Sequence, residues 1–194
     1  MIKSEAVGYS ITTARLLLLP ANNERDNTAF LKMLTKDGDL EIYCGAKPTE
    51  ENIRLFNGYL EQPGFFAVYL KEQQDRMIGY IGLTVKEHAY DLEFYISKPM
   101  RRKGYCAEAF DMLYQCIQEG KMSLATNVDE NRAKIEVVTA STYQDSDPAR
   151  RFLESVGFEQ DTSFVMVMMI SFQDDGSMGA DKAMVQYKKQ IQFI

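Results

Sequence analysis

Cysteine and histidine are scarce in this chain. Its 194 residues hold three cysteines, Cys44, Cys106 and Cys116, and one histidine, His88. Three thiols cannot complete a disulfide framework and no C-x-x-C pair occurs, so a Cys/His zinc site is not expected, nor any other metal. No apolar run reaches the roughly 18 residues of a membrane span. The N-terminus carries Lys3 and Glu5 but no long apolar core, so no signal peptide is expected. Basic residues are outnumbered, 22 to 28, leaving a net charge of −6. That balance argues against a nucleic-acid partner, which needs a basic face. It suits a cationic acceptor. The two best-known phosphate-binding patterns, G-x-x-x-x-G-K-[ST] and G-x-G-x-x-G, are also missing. The expectation is a soluble, cytoplasmic protein away from membranes, as a monomer or homodimer.

What is present fits one domain over 1–194, with residues 1–10 as a flexible or capping N-terminus. A hydrophobic content of 45% supplies a real core. There are no repeats and no low-complexity linker. Leu16 to Leu19, ended by Pro20, reads as a strand. Asp26 to Thr35 places Ala29, Phe30, Met33 and Leu34 on one helical face. Thr49-Glu50-Glu51 opens a second helix, with Ile53, Phe56, Tyr59 and Leu60 as its stripe. Phe65–Leu70 and Met77–Val85 read as strands around a turn at Gln73–Arg76.

From Tyr90 to Ser97 apolar and polar residues alternate. Period two puts Asp91, Glu93 and Tyr95 on one face of a strand. A helix follows from about Ala107 to Gln118, with Phe110, Leu113, Tyr114 and Ile117 inward and Gly120 as its stop. Met122 to Lys134 is polar and reads as irregular. Ile135–Ala140 is a further strand. Asp147-Pro148 fits a cap followed by proline at the first helical position, and Gly157 closes that helix. Phe164–Phe172 and Met184–Gln190 are the last strands, with a turn from Asp174 to Ala180. The methionines of the former read as core filling. Strands and helices alternate around a mixed sheet, so the class is α/β or α+β.

The densest chemistry lies between the alternating strand and its helix: Arg101-Arg102-Lys103-Gly104-Tyr105-Cys106-Ala107-Glu108-Ala109. The first N–H groups of a helix have no intrahelical acceptors, and the helix dipole is positive there. Gly104 lets backbone approach a ligand, and three cations precede it. A phosphate or pyrophosphate suits such a turn. An ordinary exposed basic turn ahead of a helix has the same local sequence.

These residues resemble the pyrophosphate loop of the GCN5-related N-acetyltransferases, which reads Arg/Gln-x-x-Gly-x-Gly/Ala, often within R-G-K-G-Y-A-T-E-A. Arg101, Lys103, Gly104, Tyr105, Glu108 and Ala109 match. Cys106 stands where the family prefers Gly or Ala, and Arg102 where it often has Gly. Thr13 to Pro20 is similar to the opening T-x-R-L-x-L-x-P of the RimJ/RimL-like subgroup, and Met77 to Leu83 to its I-G-x-I-G-L strand. P-A-R-R-F-L-E-S-V-G-F, Pro148 to Phe158, is similar to the helix after the family's fifth strand. The ordered set covers most of the chain.

The resemblance implies a twisted mixed sheet whose fourth and fifth strands splay apart to admit acetyl-CoA as co-substrate. It places the pyrophosphate at Arg101, Arg102, Lys103, Gly104, Tyr105, Cys106 and Ala107. It gives the pantetheine and thioester backbone partners around Phe94, Tyr95 and Ile96. Ser146 stands where the family usually has Asn, and Ala149 where it usually has Ser; Ser146 is a shorter donor to pantetheine. An alkyl ammonium has a pKa near ~10.4 and must lose a proton before attack. Glu93 is the first candidate base and Asp91 the second; each also reads as a solvated strand residue. Tyr143, after the fifth strand, is the candidate acid for the CoA thiolate, or else a groove-lining tyrosine. His88 reads as a surface turn residue, Cys106 as structural, and Glu108 as a carboxylate that suits the helix dipole. The implied activity is N-acetylation of a primary amine, at a protein or peptide N-terminus. The alternatives are a small-amine acetyltransferase, acting on a polyamine or aminoglycoside, and a non-catalytic acyl-CoA-binding module, since fold does not guarantee activity.

Overall fold

A computed structural model describes residues 10–38, 64–86, 88–122, 135–164, 167–169 and 182–194. The helix expected from Thr49, Cys44, most of the polar stretch after Met122 and the turn from Asp174 lie outside the described residues. The strands are β1 (Ile11–Thr12), β2 (Leu16–Pro20), β3 (Phe65–Leu70), β4 (Gln73–Lys86), β5 (Ala89–Ile96), β6 (Val137–Tyr143), β7 (Glu159–Gln160), β8 (Val167–Met169) and β9 (Lys182–Gln190). The helices are α1 (Asn23–Asp37), α2 (Tyr105–Gln118) and α3 (Asp147–Ser155). The nine strands form one mixed sheet in the order β1-β2-β3-β4-β5-β6-β9-β7, with β8 also on β9. The α/β class read from the sequence is the one found.

Helices cover both faces. On one face α1 packs Phe30, Met33 and Leu34 against Phe65, Tyr80 and Tyr95. Its i, i+3, i+4 spacing produces that stripe. Asn22 caps α1 by accepting from the Arg25 N–H at 3.1 Å, and Gly38 ends it at φ 69°. On the other face α2 and α3 bury Phe110, Leu113, Ile117 and Leu153 against Ile78, Ile81, Leu83, Leu92 and Val138. Each side chain of that size stabilises by ~1.5–3 kcal/mol when fully buried.

Several boundaries differ from the sequence reading: α1 is longer than Asp26–Thr35, α2 starts at Tyr105 and not about Ala107, and β6 is Val137–Tyr143 and not Ile135–Ala140. The β3–β4 turn is Lys71–Glu72, because Leu70 pairs with Gln73. Gln73–Arg76 is thus strand, and its exposed polar side chains are those of a hairpin arm outside the core. Ser146, not Asp147, is the N-cap of α3, which puts Pro148 in the first turn but one position later. The short β1 and β7 have too few residues for any pattern to show.

One pairing departs from all the others. Among the described residues every neighbouring pair of strands is antiparallel except β5 and β6, which are parallel and in register only at Tyr90–Val138 and Asp91–Thr139. Beyond Asp91 and Thr139 the two strands part, leaving Leu92–Ile96 of β5 and Ala140–Tyr143 of β6 unpaired with each other. A sheet tolerates such an opening in its middle only where something else meets the freed backbone groups.

Candidate active site

The wedge has a floor and a mouth. Its mouth is the turn between β5 and α2. A 3-10 turn, Lys98–Met100, carries the chain off β5, and Arg101 Nε donates to the Ile96 carbonyl at 2.7 Å. The Arg101 guanidinium also lies 5.2 Å from the centre of the Tyr95 ring. Arg101 therefore straps the turn to the end of β5, and the Ile96 carbonyl already has this donor. Arg102 adopts φ 60° and Gly104 φ 78°, two left-handed residues that fold the backbone back on itself. At Gly104 a β-carbon would be strained by that conformation, not by crowding: its nearest neighbour would be Arg15 Nη2, 3.4 Å away.

Gly104 is the N-cap of α2 and offers no side-chain cap. The first helical bond runs from the Glu108 N–H to the Gly104 carbonyl at 3.0 Å, so the N–H groups of Tyr105, Cys106 and Ala107 have no acceptor within the helix. Arg102 and Lys103 are exposed beside them and pair with no carboxylate among the described residues. Unspent N–H groups, a positive helix end and two cations, of which Lys103 has only a weak bond to the Met100 sulfur at 3.7 Å, fit a pyrophosphate. Cys106 fits the small position. Burial pushes its thiol pKa well up, so it stays neutral and structural.

The faces of β5 divide the remaining residues. Leu92, Phe94 and Ile96 face α2 and α3, where the Phe94 ring packs 4.6 Å from that of Phe152. Asp91, Glu93 and Tyr95 face the other way, as period two requires. Tyr95 is buried and donates its hydroxyl to Asp37 at 2.6 Å, and the Lys98 N–H donates to the same carboxylate at 2.7 Å. Its contribution to a ligand is restricted to backbone. Gly79 of β4 pairs with Ile96 of β5, and a β-carbon there would stand 2.0 Å from the Tyr95 carbonyl oxygen. Only glycine lets β4 run this close to β5 at the wedge.

The two candidate bases differ sharply. Asp91 is buried, accepts from the Thr139 hydroxyl at 3.1 Å and forms an ion pair with Lys86. These partners make it the latch of the last paired register between β5 and β6. Glu93 is half-buried and has no hydrogen bond or ion pair among the described residues. Burial alone pushes its pKa up from 4.5 to about 7. Tyr143 ends β6 and is half-buried. Since Asp91 is level with Thr139 in a parallel pair, Glu93 and Tyr143 project from the same sheet face on opposite sides of the wedge. Ser146 follows the turn after β6, its N–H donating to the Tyr143 carbonyl at 3.0 Å, and its hydroxyl makes no capping bond. Ala149 lies in the first turn of α3.

One pair of residues had no functional reading in the sequence. Glu108 accepts the Thr13 hydroxyl at 2.5 Å, the Arg15 N–H at 2.8 Å and Arg15 Nε at 2.6 Å. Burial by itself would raise its pKa, but these bonds outweigh burial and hold it below the ordinary carboxylate value. Its partners lie 93 and 95 positions away in the chain, a contact no local pattern signals.

Residues 15–159 match a family model described as an acetyltransferase (GNAT) domain. The chain belongs to the GNAT acetyltransferase family. It is an N-acetyltransferase, and the family's reaction moves an acetyl group from acetyl-CoA to an amine. Solved structures share the fold. A GNAT-family acetyltransferase from Bacillus anthracis superposes with a TM-score of 0.68 at 17% identity, covering 95% of this chain and 99% of that one. A Salmonella typhimurium acetyltransferase said to modify the N-terminal serine of ribosomal protein L7/L12 gives 0.66 at 13% identity, covering 94% and 99%. A RimL ribosomal L7/L12 N-acetyltransferase solved with coenzyme A gives 0.65 at 15% identity, covering 95% and 99%. None of the curated proteins matches. No helix among the described residues is long and apolar enough to cross a membrane.

Proposed function

We propose that this GNAT enzyme acetylates the amino terminus of a protein or peptide, with acetyl-CoA lying in the wedge between β5 and β6. The observation that carries the reading is the parting of those strands after Asp91 and Thr139, with an uncapped, cation-flanked helix start at the mouth. The pyrophosphate sits on the N–H groups from Gly104 to Ala107, with Arg102 and Lys103 adding charge. The pantetheine runs along the freed edge of β5, and Ser146 reaches it from the β6 side. A backbone N–H near Phe94–Ile96 donates to the thioester oxygen as negative charge builds there.

Glu93 takes the proton of the incoming ammonium. The neutral nitrogen then attacks the thioester carbon, the C–S bond breaks, Tyr143 gives its proton to the departing sulfur, and the second proton shed by the acylated nitrogen restores the Tyr143 phenol through water. Matching of acidities favours an α-amino group. Glu93, at about 7, lies about one unit from the ~8 of an N-terminal amine but more than three below the ~10.4 of an alkyl amine. The named substrates of two structural neighbours, ribosomal protein N-termini, are of this class.

The test is CoA-thiol release measured across N-terminal peptides, polyamines and aminoglycosides. Turnover with peptides supports the reading. Turnover confined to small amines replaces the acceptor, and CoA binding without turnover on any amine removes the catalytic reading.

A further inference from the structure

Arg15 sits in the turn between β1 and β2, far in sequence from the wedge, yet its guanidinium is fixed at the mouth. We propose that Arg15 is a positioning residue of the donor site, setting the pyrophosphate turn in its binding shape through Lys103 and Glu108. This inference rests on the pyrophosphate reading of that turn.

The guanidinium holds two groups at once. Nε donates to Glu108 Oε2 at 2.6 Å, and Nη1 donates to the Lys103 carbonyl at 2.9 Å. Its plane lies 4.6 Å from the centre of the Tyr105 ring. The Lys103 carbonyl belongs to the same planar peptide as the Gly104 N–H, and in a trans peptide the two point in opposite directions. Drawing the carbonyl toward Arg15 aims the Gly104 N–H away from Arg15, into the concave side of the turn. The left-handed Arg102 and Gly104 flank this peptide, so without an outside clamp its plane is the part of the turn most able to rotate.

The second effect is charge. Glu108 stands in the first turn of α2, beside the place where the family puts a pyrophosphate. An unpaired carboxylate there would repel that anion. Arg15, through its side chain and its own N–H, together with the Thr13 hydroxyl, occupies both carboxylate oxygens and cancels the charge. The rival account is that Glu108 only complements the helix dipole. In that account Arg15 is a surface salt-bridge partner, and such exposed pairs contribute little. The direction of the bonds opposes it. Both Glu108 oxygens turn outward to the β1–β2 turn, and the Arg15 fork spends its other arm on the backbone of the anion loop.

The deciding experiment compares acetyl-CoA with acetyl-pantetheine, a donor that has the thioester but no pyrophosphate. Steady-state rates are measured on wild type, Arg15→Gln, Arg15→Lys and Gly104→Asp, with melting temperatures alongside. Arg15→Gln is expected to raise KM for acetyl-CoA about tenfold, the scale of a lost hydrogen bond to a charged group. Its kcat should stay within twofold, and so should its kcat/KM for acetyl-pantetheine. Arg15→Lys neutralises Glu108 but cannot bridge it to the Lys103 carbonyl, so it should recover only part of the loss. If Arg15→Gln does not fold, Arg15→Lys carries the same two-donor comparison. Equal losses with both donors, or an unchanged KM for acetyl-CoA, overturn the proposal. Gly104→Asp separates the two readings: if it still takes acetyl-CoA with wild-type KM, the pyrophosphate placement itself is wrong. If Gly104→Asp fails while Arg15→Gln is unaffected, only the role of Arg15 is lost.

Discussion

Glu93→Gln is expected to make this enzyme more stable and less active, with both effects governed by pH. In the folded chain burial pushes the Glu93 pKa from 4.5 to about 7. The unfolded chain keeps the ordinary value, so between pH 4.5 and 7 the folded state binds the extra proton. Stability therefore falls as pH rises through this window and levels off above it. At ~1.36 kcal/mol per pKa unit, the full penalty above pH 7 is about 3 kcal/mol. Glutamine has nearly the same shape and no charge, so it removes the penalty. Near pH 8.5 the gain corresponds to about 6–12 °C in melting temperature for a chain of this size. Near pH 4.5, where folded Glu93 is already protonated, the two proteins should melt together. Activity should run the other way. A general base contributes roughly 10²–10⁴-fold, so Glu93→Gln should lose about that much at pH 7. The wild-type fall in kcat/KM below about pH 7 should vanish with it. Differential scanning fluorimetry and thiol-release rates from pH 4.5 to 9 measure both quantities. A melting difference that does not vary with pH would refute the buried-charge account, and a wild-type pH–rate profile in the variant would refute the base.

Further outcomes follow from other parts of the wedge. Gly104→Asp puts a side chain on a φ of 78° and a negative charge at the helix start, and should abolish CoA binding in calorimetry while circular dichroism stays native. Tyr143→Phe should lower kcat with little change in CoA affinity if the hydroxyl protonates the thiolate; weaker affinity at constant kcat would make it a pantetheine contact instead. Gly79→Ala puts a β-carbon 2.0 Å from the Tyr95 carbonyl oxygen, so β5 must move. It should cost at least ~1 kcal/mol, or roughly 3 °C of melting temperature, and also depress kcat; an unaltered melt would show that the strands have slack there.

The parts of this fold that were legible in the sequence are those that local periodicity encodes. Alternation from Tyr90 separated Asp91, Glu93 and Tyr95 from Leu92, Phe94 and Ile96, and the structure keeps that division. The α2 stripe was equally plain. Hairpin geometry was less so: Gln73–Arg76 is polar on both faces, because that arm of β4 stands in solvent, and a polar stretch reads as a turn. What periodicity cannot show is who partners whom. Asp91 and Glu93 are the same chemistry two residues apart, yet one is locked to Lys86 and Thr139 and the other has no such partner among the described residues. That difference depends on which residues face them across the sheet. The Arg15–Glu108 clamp is invisible for the same reason, since its ends meet only after β2 and α2 have packed.

On the proposed reading the same strand serves two tasks that interfere with each other in principle. A donor site needs backbone that is free to bond, while an acceptor site needs a carboxyl group kept away from water. Pairing β5 along its whole length to β6 would satisfy the backbone and close the site. Letting the strands part at once would expose Glu93 to solvent and return it to an ordinary carboxylate. The structure takes a middle course, in which buried Asp91, held by the exposed Lys86 and by the Thr139 hydroxyl, closes the register at one level, and the gap opens immediately beyond it. Glu93 lies two residues past that latch, near enough to stay half-buried and far enough to lie beside the opening. The Lys86 side chain is 63% exposed, so water screens the pair and losing Lys86 costs far less than breaking a fully buried pair. The latch marks the level at which the paired register ends and the wedge begins. On the proposed reading Asp91 marks where the wedge begins, and Glu93, two residues further along the same face, is the base.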